Sequence, residues 1–546
     1  MPARRRFDAR ILHSPDAGAN LAHGPPTMRA SFNLGSLMRA LRYRRLGAPT
    51  ALLVGVLTAL LAGSPHAEAA PAATLSLKPC RLDGYPTELQ CGTLQRPLNP
   101  AEPRGKTIAL RVVLVPALAR NKLPDPVTLL AGGPGQAAAE MLPLIASRYA
   151  RLNQRRDLVF VDQRGTGQSA PLECKVEEEA ARGRETSMNL DEQIALVHRC
   201  RDRLMKLPHG DLRFYTTTLA MQDLDAVREA LGVAQWNLIG ASYGTRAALE
   251  YQRLFPQAVR RSVIDGLAPP DIALPRSFGT DTQAALDALL ASCEAQAGCR
   301  AAYPNLAAQW QQLLAGLPRQ VQLRHALTGK LETVTMERGQ VIGAVRPPLY
   351  SPTLSSLLPA AIAAAAGGDF NPLNALSGSL VGRRGGLAGG MHFSVVCAED
   401  LPQVAANQDA PGRDFGDADL QRYQRICEGW PRGAVSADFY KIPPAQSPVL
   451  LTSGGADPAT PPRHGERVAR LLGPKALHQV VPAAGHGVIN LPCMRDVVAR
   501  FIEAKSEAEA LALKTDCAKD MPRALAFVPP NPLLPPLPKK NPEGSK

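Results

Sequence analysis

The chain has 546 residues, 45% of them hydrophobic and 20% charged, an ordinary globular composition sufficient for one large domain with an insertion or for two domains. The formal charge of +14 overstates the basicity of the folded part, because nine arginines against three acids fall before residue 70 and leave roughly +8 for the rest. No stripe of lysine and arginine interleaves with aromatics, and neither C-x-x-C nor H-E-x-x-H occurs, so nucleic-acid binding, a metal site and a cofactor all lack support.

Residues 1–69 read as a leader with an upstream extension. Arg39, Arg42, Arg44 and Arg45 form a basic stretch, Ala51 to Ala62 an apolar run too short to span a bilayer comfortably, and Ala67-Glu68-Ala69 a small-x-small cleavage site. A secretory signal peptide cut after Ala69 is expected. There is no cysteine at the cut to carry a lipid, so the product should be periplasmic or secreted, without a stable membrane anchor. All ten cysteines, at 80, 91, 174, 200, 293, 299, 397, 427, 493 and 517, lie beyond that point. An even number in an exported chain suggests disulfides. Pairing neighbours in sequence would give Cys80–Cys91, Cys174–Cys200, Cys293–Cys299, Cys397–Cys427 and Cys493–Cys517, a connectivity that sequence alone leaves open.

From about Cys91 short apolar runs alternate with helical stretches. Strands are expected at Ile108 to Val115, Val127 to Ala131, Asp157 to Asp162, Trp236 to Ile239, Arg261 to Asp265, Val449 to Ser453 and His478 to Val481. Several are continuous apolar runs, as in a parallel sheet buried on both faces, and the helices between them predict an α/β fold, a mostly parallel sheet layered by helices. The alternation holds over 70–270 and again over 447–520. Between them, 271–446 is rich in Ala, Leu and Gln, with helical patches at Thr282 to Ala295 and Leu354 to Ala366, and reads as a large, mainly helical cap over the carboxyl edge of the sheet. The tail, 521–546, holds eight prolines and reads as an extended strap.

The chemistry concentrates at "WNLIGASYGTRAALEYQRLFP", Trp236 to Pro256. An apolar strand leads into Gly240-Ala241-Ser242-Tyr243-Gly244 and then a helix-forming run from Thr245 to Phe255. A serine between glycines on a strand-to-helix turn is the G-x-S-x-G nucleophile elbow. Its hydroxyl needs a base, and the base an orienting acid. On such a sheet the order is serine, acid, histidine. "PVLLTSGGADPATPP" presents Asp457 and "HQVVPAAGHGVIN" presents His486, each just past a strand, with room for one helix, Pro462 to Leu472, between. Asp265, ending the strand after the elbow helix, is the rival acid, and His464 reads as a surface residue. For the oxyanion, the expected donors are the backbone N–H of Tyr243 and that of Gly133 in "VTLLAGGPGQAA".

"AGGPG", "VFVDQRGTGQSAP", "GASYGTR", "SGGADPATP" and "GHG", in this order and spacing, resemble the α/β-hydrolase peptidases related to proline iminopeptidase. The cysteine pairs, the cap and the leader look more like the secreted tripeptidyl aminopeptidase branch. One departure is Ala131, where that family usually has a histidine before "GGPG". The resemblance implies an α/β-hydrolase fold and a serine aminopeptidase releasing proline or short peptides, up to tripeptides, from free N-termini. In relatives, cap carboxylates bind the substrate ammonium. Glu399 and Asp400 in "MHFSVVCAEDLP" are the candidates here, and Asp162 and Arg164 read as structural ion-pair residues. Two rival readings share this fold, an exported esterase or lipase with the same triad and a catalytically inactive binding protein. The full triad argues against the second.

Overall fold

In a computed structural model, the described residues are 75–175, 177–178, 188–325, 328–378 and 386–529. The expected leader and most of the proline-rich tail fall outside them. A nine-stranded sheet forms the centre. Its strands are β1 (Lys78–Cys80), β2 (Leu89–Pro97), β3 (Thr107–Val115), β4 (Val127–Leu130), β5 (Leu158–Val161), β6 (Trp236–Ala241), β7 (Val259–Asp265), β10 (Val449–Gly454) and β11 (Ala476–Val481). β8 (Arg319–Arg324) and β9 (Leu331–Met336) form a separate hairpin. Across the sheet the order is β1-β2-β3-β5-β4-β6-β7-β10-β11. The first four pair antiparallel, and from β5 to β11 every neighbour is parallel.

Every residue of β4, β5 and β10 is buried, which explains why β5 reads as an unbroken apolar run and β4 and β10 as mostly apolar ones. β1 and β2 escape that reading because they lie at the antiparallel edge, where one side meets solvent and the pattern is broken by polar residues. β4 has β5 on one side and β6 on the other, so the connections leaving it and entering β6 diverge. That is the switch point of an open α/β sheet, and ligands bind in the crevice beyond the carboxyl ends of such strands. The Ala131–Gln136 loop and Ser242 both stand there.

Helices cover both faces. On one, Leu204, Leu224, Leu249 and Val468 pack against Leu238 and Leu451, with helices Leu190–Leu204, Thr217–Ala230, Tyr243–Leu254 and Pro462–Leu472. Asn189 and Glu192 close a reciprocal capping box at the start of the first of these, satisfying N–H groups that a helix end leaves open. On the other face, Leu142, Val497 and Phe501 pack against Phe160 and Val263. Between β7 and β10 the chain builds a mainly helical lobe with its own core around Leu286, Trp310, Val345 and Ile362. The later part of that insertion behaves differently. Met391, Val395, Cys397 and Trp430 join the core of the sheet rather than that of the lobe. Five disulfides connect the ten cysteines, each with its neighbour in sequence, and no free thiol remains. Among the described residues, no helix is long and apolar enough to cross a membrane.

Candidate active site

Ser242 opens helix Tyr243–Leu254 at φ 56°, ψ −124°, outside the regions that L-residues favour. Three contacts hold it there. Its N–H donates to Asp265 O at 2.8 Å, and its carbonyl accepts from the Thr245 N–H at 2.9 Å and the Thr245 hydroxyl at 2.6 Å. The close packing depends on Gly244, where an added Cβ would lie 2.1 Å from Leu130 O. The elbow helix thereby sits directly against the end of β4.

His486 follows β11. Its Nδ1 lies 2.8 Å from Asp457 Oδ2, so Nδ1–H donates to the carboxylate and leaves the Nε2 lone pair free as a base. Asp457 is buried and fully engaged. One oxygen accepts from the Ala459 and Thr460 N–H groups at 2.9 Å, and the other from the Thr460 hydroxyl at 2.8 Å as well as from His486. Burial pushes its carboxyl up, but the imidazole and these donors win, and the pKa lies below the ordinary value. The imidazole mirrors this. Burial pulls it down, the Asp457 charge and hydrogen bond raise it, and the net shift is upward. Its ring lies against Gly266, whose Cα position would put a Cβ 3.1 Å from Cε1. Ser242 follows β6, Asp457 follows β10 and His486 follows β11, so all three stand beyond the carboxyl ends of strands in the parallel part of the sheet.

Asp265 has a different partner set from Asp457. Its carboxylate accepts from the Thr452 hydroxyl at 2.7 Å and from the Val488 and Ile489 N–H groups at 3.2 Å. It braces the loop just after His486. Burial pushes its pKa up to about 6. The insertion between β7 and β10 reaches His486 through Tyr350. The His486 N–H donates to Tyr350 O at 2.9 Å, and the two rings meet edge-on at 5.1 Å.

In the loop expected to supply an oxyanion donor, Gly133 has φ +112°, and a Cβ there would lie 2.7 Å from Gly135 N and 2.9 Å from the Leu387 side chain. Only glycine fits. Gly132 borders the serine, since its added Cβ would lie 3.2 Å from Ser242 Cβ.

The acidic pair stands elsewhere. Glu399 and Asp400, in a π-helical stretch Val396–Asp400, are 0% exposed. Asp400 takes both guanidinium nitrogens of Arg246, at 2.9 and 2.7 Å, and the Leu274 N–H at 3.1 Å. Glu399 accepts from the Thr217 N–H at 2.6 Å, the Thr217 hydroxyl at 2.8 Å and Arg246 at 3.4 Å. Thr217 in turn meets the Tyr243 hydroxyl at 2.7 Å. This corrects the expectation of a carboxylate pair open to a substrate ammonium. The charge of Arg246, four residues into the elbow helix, is already paired with Asp400, while Glu399 is held by Thr217 and raised by burial, and the two side chains tie that helix to the insertion.

Arg164 is a structural ion-pair residue, forking onto Asp223 at 2.7 and 2.9 Å, whereas Asp162 is structural through the Ala139 and Gln168 N–H groups that it accepts from. One further expectation changes. His464 is buried, 5% exposed, and binds Asp281 at 2.9 Å because helix Leu274–Ala295 lies across it. Thr460, Tyr350 and His392 went unseen in the sequence. Thr460 had a signal in "DPAT", an Asx-type turn folding back on Asp457. Tyr350 and His392 had none, since only the tertiary fold brings them to the site.

The sheet order, the strained serine and the hydrogen-bonded Asp–His pair define a class. The chain belongs to the α/β-hydrolase fold family, whose sequence model matches residues 125–489. It is a serine hydrolase of that fold with peptidases among its relatives. It is similar to "Serine protease Hip1" of Mycobacterium tuberculosis, 27% identical over 468 residues that cover 78% of this chain and 88% of that one. The "Tripeptidyl aminopeptidase" of Streptomyces coelicolor is 31% identical over 207 residues, 35% of this chain and 37% of that one. "Carboxylesterase B" of M. tuberculosis is 27% identical over 428 residues, 70% and 78% of the respective chains. A solved proline iminopeptidase from Mycobacterium smegmatis superposes with a TM-score of 0.33 at 18% identity, covering 77% of this chain and 99% of that one.

Proposed function

We propose that this protein is an exported serine aminopeptidase that cleaves amide bonds near the free N-termini of peptides, releasing proline or short peptides up to tripeptides. Ser242 Oγ attacks the carbonyl while its proton passes to His486 Nε2. Asp457 holds the imidazole, and the Tyr243 and Gly133 N–H groups receive the developing oxyanion. His486 returns the proton to the leaving amine, which departs as the acyl-enzyme forms. Water then adds, activated by the same imidazole, and frees Ser242. The observation that supports this reading is the 2.8 Å contact of His486 Nδ1 with a buried Asp457, on a sheet whose strand β6 ends in an elbow serine. The peptidase relatives support amides over esters, and the five disulfides support export. Glu399 and Asp400 are proposed as anchors of the elbow helix, not of the substrate.

The likeness to a carboxylesterase supports a second reading, an exported esterase. The two separate on free and N-acetylated p-nitroanilides of proline, alanine and tripeptides, assayed beside a short acyl ester. Hydrolysis of free-amine amides but not of their acetylated forms is expected, and activity confined to the ester would favour the esterase. Ser242→Ala should abolish both activities and labelling by a fluorophosphonate. Labelling that persists in that variant would mean that another residue is the nucleophile.

A further inference from the structure

The loop expected to supply the second oxyanion donor has little of its own to hold it. Ladder pairing of β4 ends at Leu130, and the next residues include Gly133 at φ +112° and Gly135 at φ +111°. Backbone with so much freedom keeps one shape only if something outside grips it. Residues 387–392 do so. The Ala388 N–H donates to Gly135 O at 2.9 Å, Leu387 and Gln136 form a short antiparallel bridge, and the Leu387 side chain fills the space beside Gly133.

His392 completes the grip. Its Nδ1 lies 3.1 Å from Pro134 O, and a carbonyl only accepts, so Nδ1 carries the hydrogen. Nε2 is then a lone pair, and the Tyr423 hydroxyl, 2.8 Å away, donates to it. The Tyr423 ring is itself wedged, with ring centroids 5.8 Å from Phe393 and 6.4 Å from Phe278. Burial pushes the imidazole down to about 4, against the opposing pull of the Pro134 bond, so it stays neutral at ordinary working pH and keeps this one tautomer.

We infer that His392 is a positioning residue for the oxyanion hole, holding the Gly133 N–H at its working place through the Nδ1–H bond to Pro134, with Tyr423 fixing the tautomer. The inference rests on the proposed roles of Ser242 and Gly133. It goes beyond them in making the insertion a working part of transition-state stabilisation. An oxyanion donor acts over a narrow range of distance, and the loss of one costs about a hundredfold to a thousandfold in kcat. A loosened donor should cost less.

His392→Asn and His392→Leu have nearly the same shape, but only Asn offers an N–H where Nδ1 stood. In the mature, disulfide-intact protein, His392→Leu should lower kcat on amide substrates roughly tenfold to a hundredfold with KM within about threefold, and should slow phosphonylation of Ser242 by a fluorophosphonate in parallel. His392→Asn should recover most of the loss. Wild-type kcat in the Leu variant, equal losses in Leu and Asn, or a loss confined to KM would each overturn the inference. If the Leu variant does not fold, Tyr423→Phe, which loses only the hydroxyl, decides. A several-fold fall in kcat supports the role, and wild-type kcat overturns it. Failure of the underlying reading looks different, because wild-type protein would then not be labelled at Ser242.

Discussion

Glu399 offers a test that separates a buried brace from a substrate anchor. Burial raises its carboxyl from 4.5 to about 7, with Arg246 and the Thr217 donors pulling the other way. A proton held more tightly by the folded state stabilises that state at low pH. Below pH 4.5 both states are protonated and the contribution is complete. As pH climbs toward 7 the unfolded chain ionises first, and the contribution drains away until the folded carboxyl titrates too. Two and a half units at 1.36 kcal/mol each give about 3 kcal/mol lost across that window. Glu399→Gln cannot titrate, keeps an acceptor for the Thr217 N–H, and leaves Arg246 its fork onto Asp400. For a domain of this size the unfolding entropy is about 1 kcal/mol per degree, so the thermal midpoint of wild type should fall by about 3 °C relative to the variant between pH 4.5 and 7.5. Scanning calorimetry of both proteins across that range measures it. Parallel midpoints would refute the reasoning. Kinetics add a second arm. The KM of free-amine peptides should stay within about threefold, and a thirtyfold rise restricted to them would return Glu399 to the role of ammonium anchor.

His486 must be neutral to act as a base, and its pKa is raised, so kcat/KM should fall on acidification with a midpoint above 6.5, the value of a free imidazole. Asp457→Asn should cut kcat by roughly a thousandfold to ten-thousandfold and move that limb to lower pH, because the charge that chiefly raises the ring would be gone and only the weaker pull of Asp265 would oppose burial. An unmoved limb would show that another group sets it. Gly244→Ala drives a methyl against backbone at Leu130, so β4 and the elbow helix must part by about an ångström, at a cost of about 1–3 kcal/mol in stability and roughly a hundredfold in kcat/KM. Gly343→Ala, in a helix with nothing within 4 Å of the added methyl, should leave activity unchanged and stability equal or up to about 1 kcal/mol higher. Equal behaviour of the two variants would remove the packing argument.

The central strands and the three residues at their ends were legible because two simple signals coincided. Val127–Leu130, Trp236–Ala241 and Val449–Gly454 are mostly apolar, with Thr128, Asn237, Thr452 and Ser453 as buried exceptions, and each gives way to glycine or small residues just where the chain must turn. The antiparallel edge was not legible, since Leu89–Pro97 mixes inward leucines with solvent-facing glutamine and arginine. Charged residues misled most. "CAED" reads as an acidic pair for a substrate ammonium until Arg246 is seen to bind it, and a helix supplies Asp281 to bury His464. Nothing local distinguishes a carboxylate waiting for a substrate from one already paired across 150 residues of chain. Local pattern therefore found the groups that sit at the ends of strands and missed those that hold them in place.

The order of strands in the sheet has a consequence for biosynthesis. β10 and β11 complete the far edge, and they carry acid and base only after the entire insertion has been made. A nascent chain possesses its serine long before anything can activate it. Docking β10 beside β7 also closes a very long loop, the kind of distant pairing that slows folding. Chains released ahead of Val449 should therefore neither turn over substrate nor react with a fluorophosphonate, and capacity for hydrolysis should arise in one late step. Latency is thus written into the order of synthesis, with no inhibitory propeptide required. The machinery that makes the chain handles a hydrolase in which the histidine proposed as base is the last of the three proposed catalytic residues to arrive.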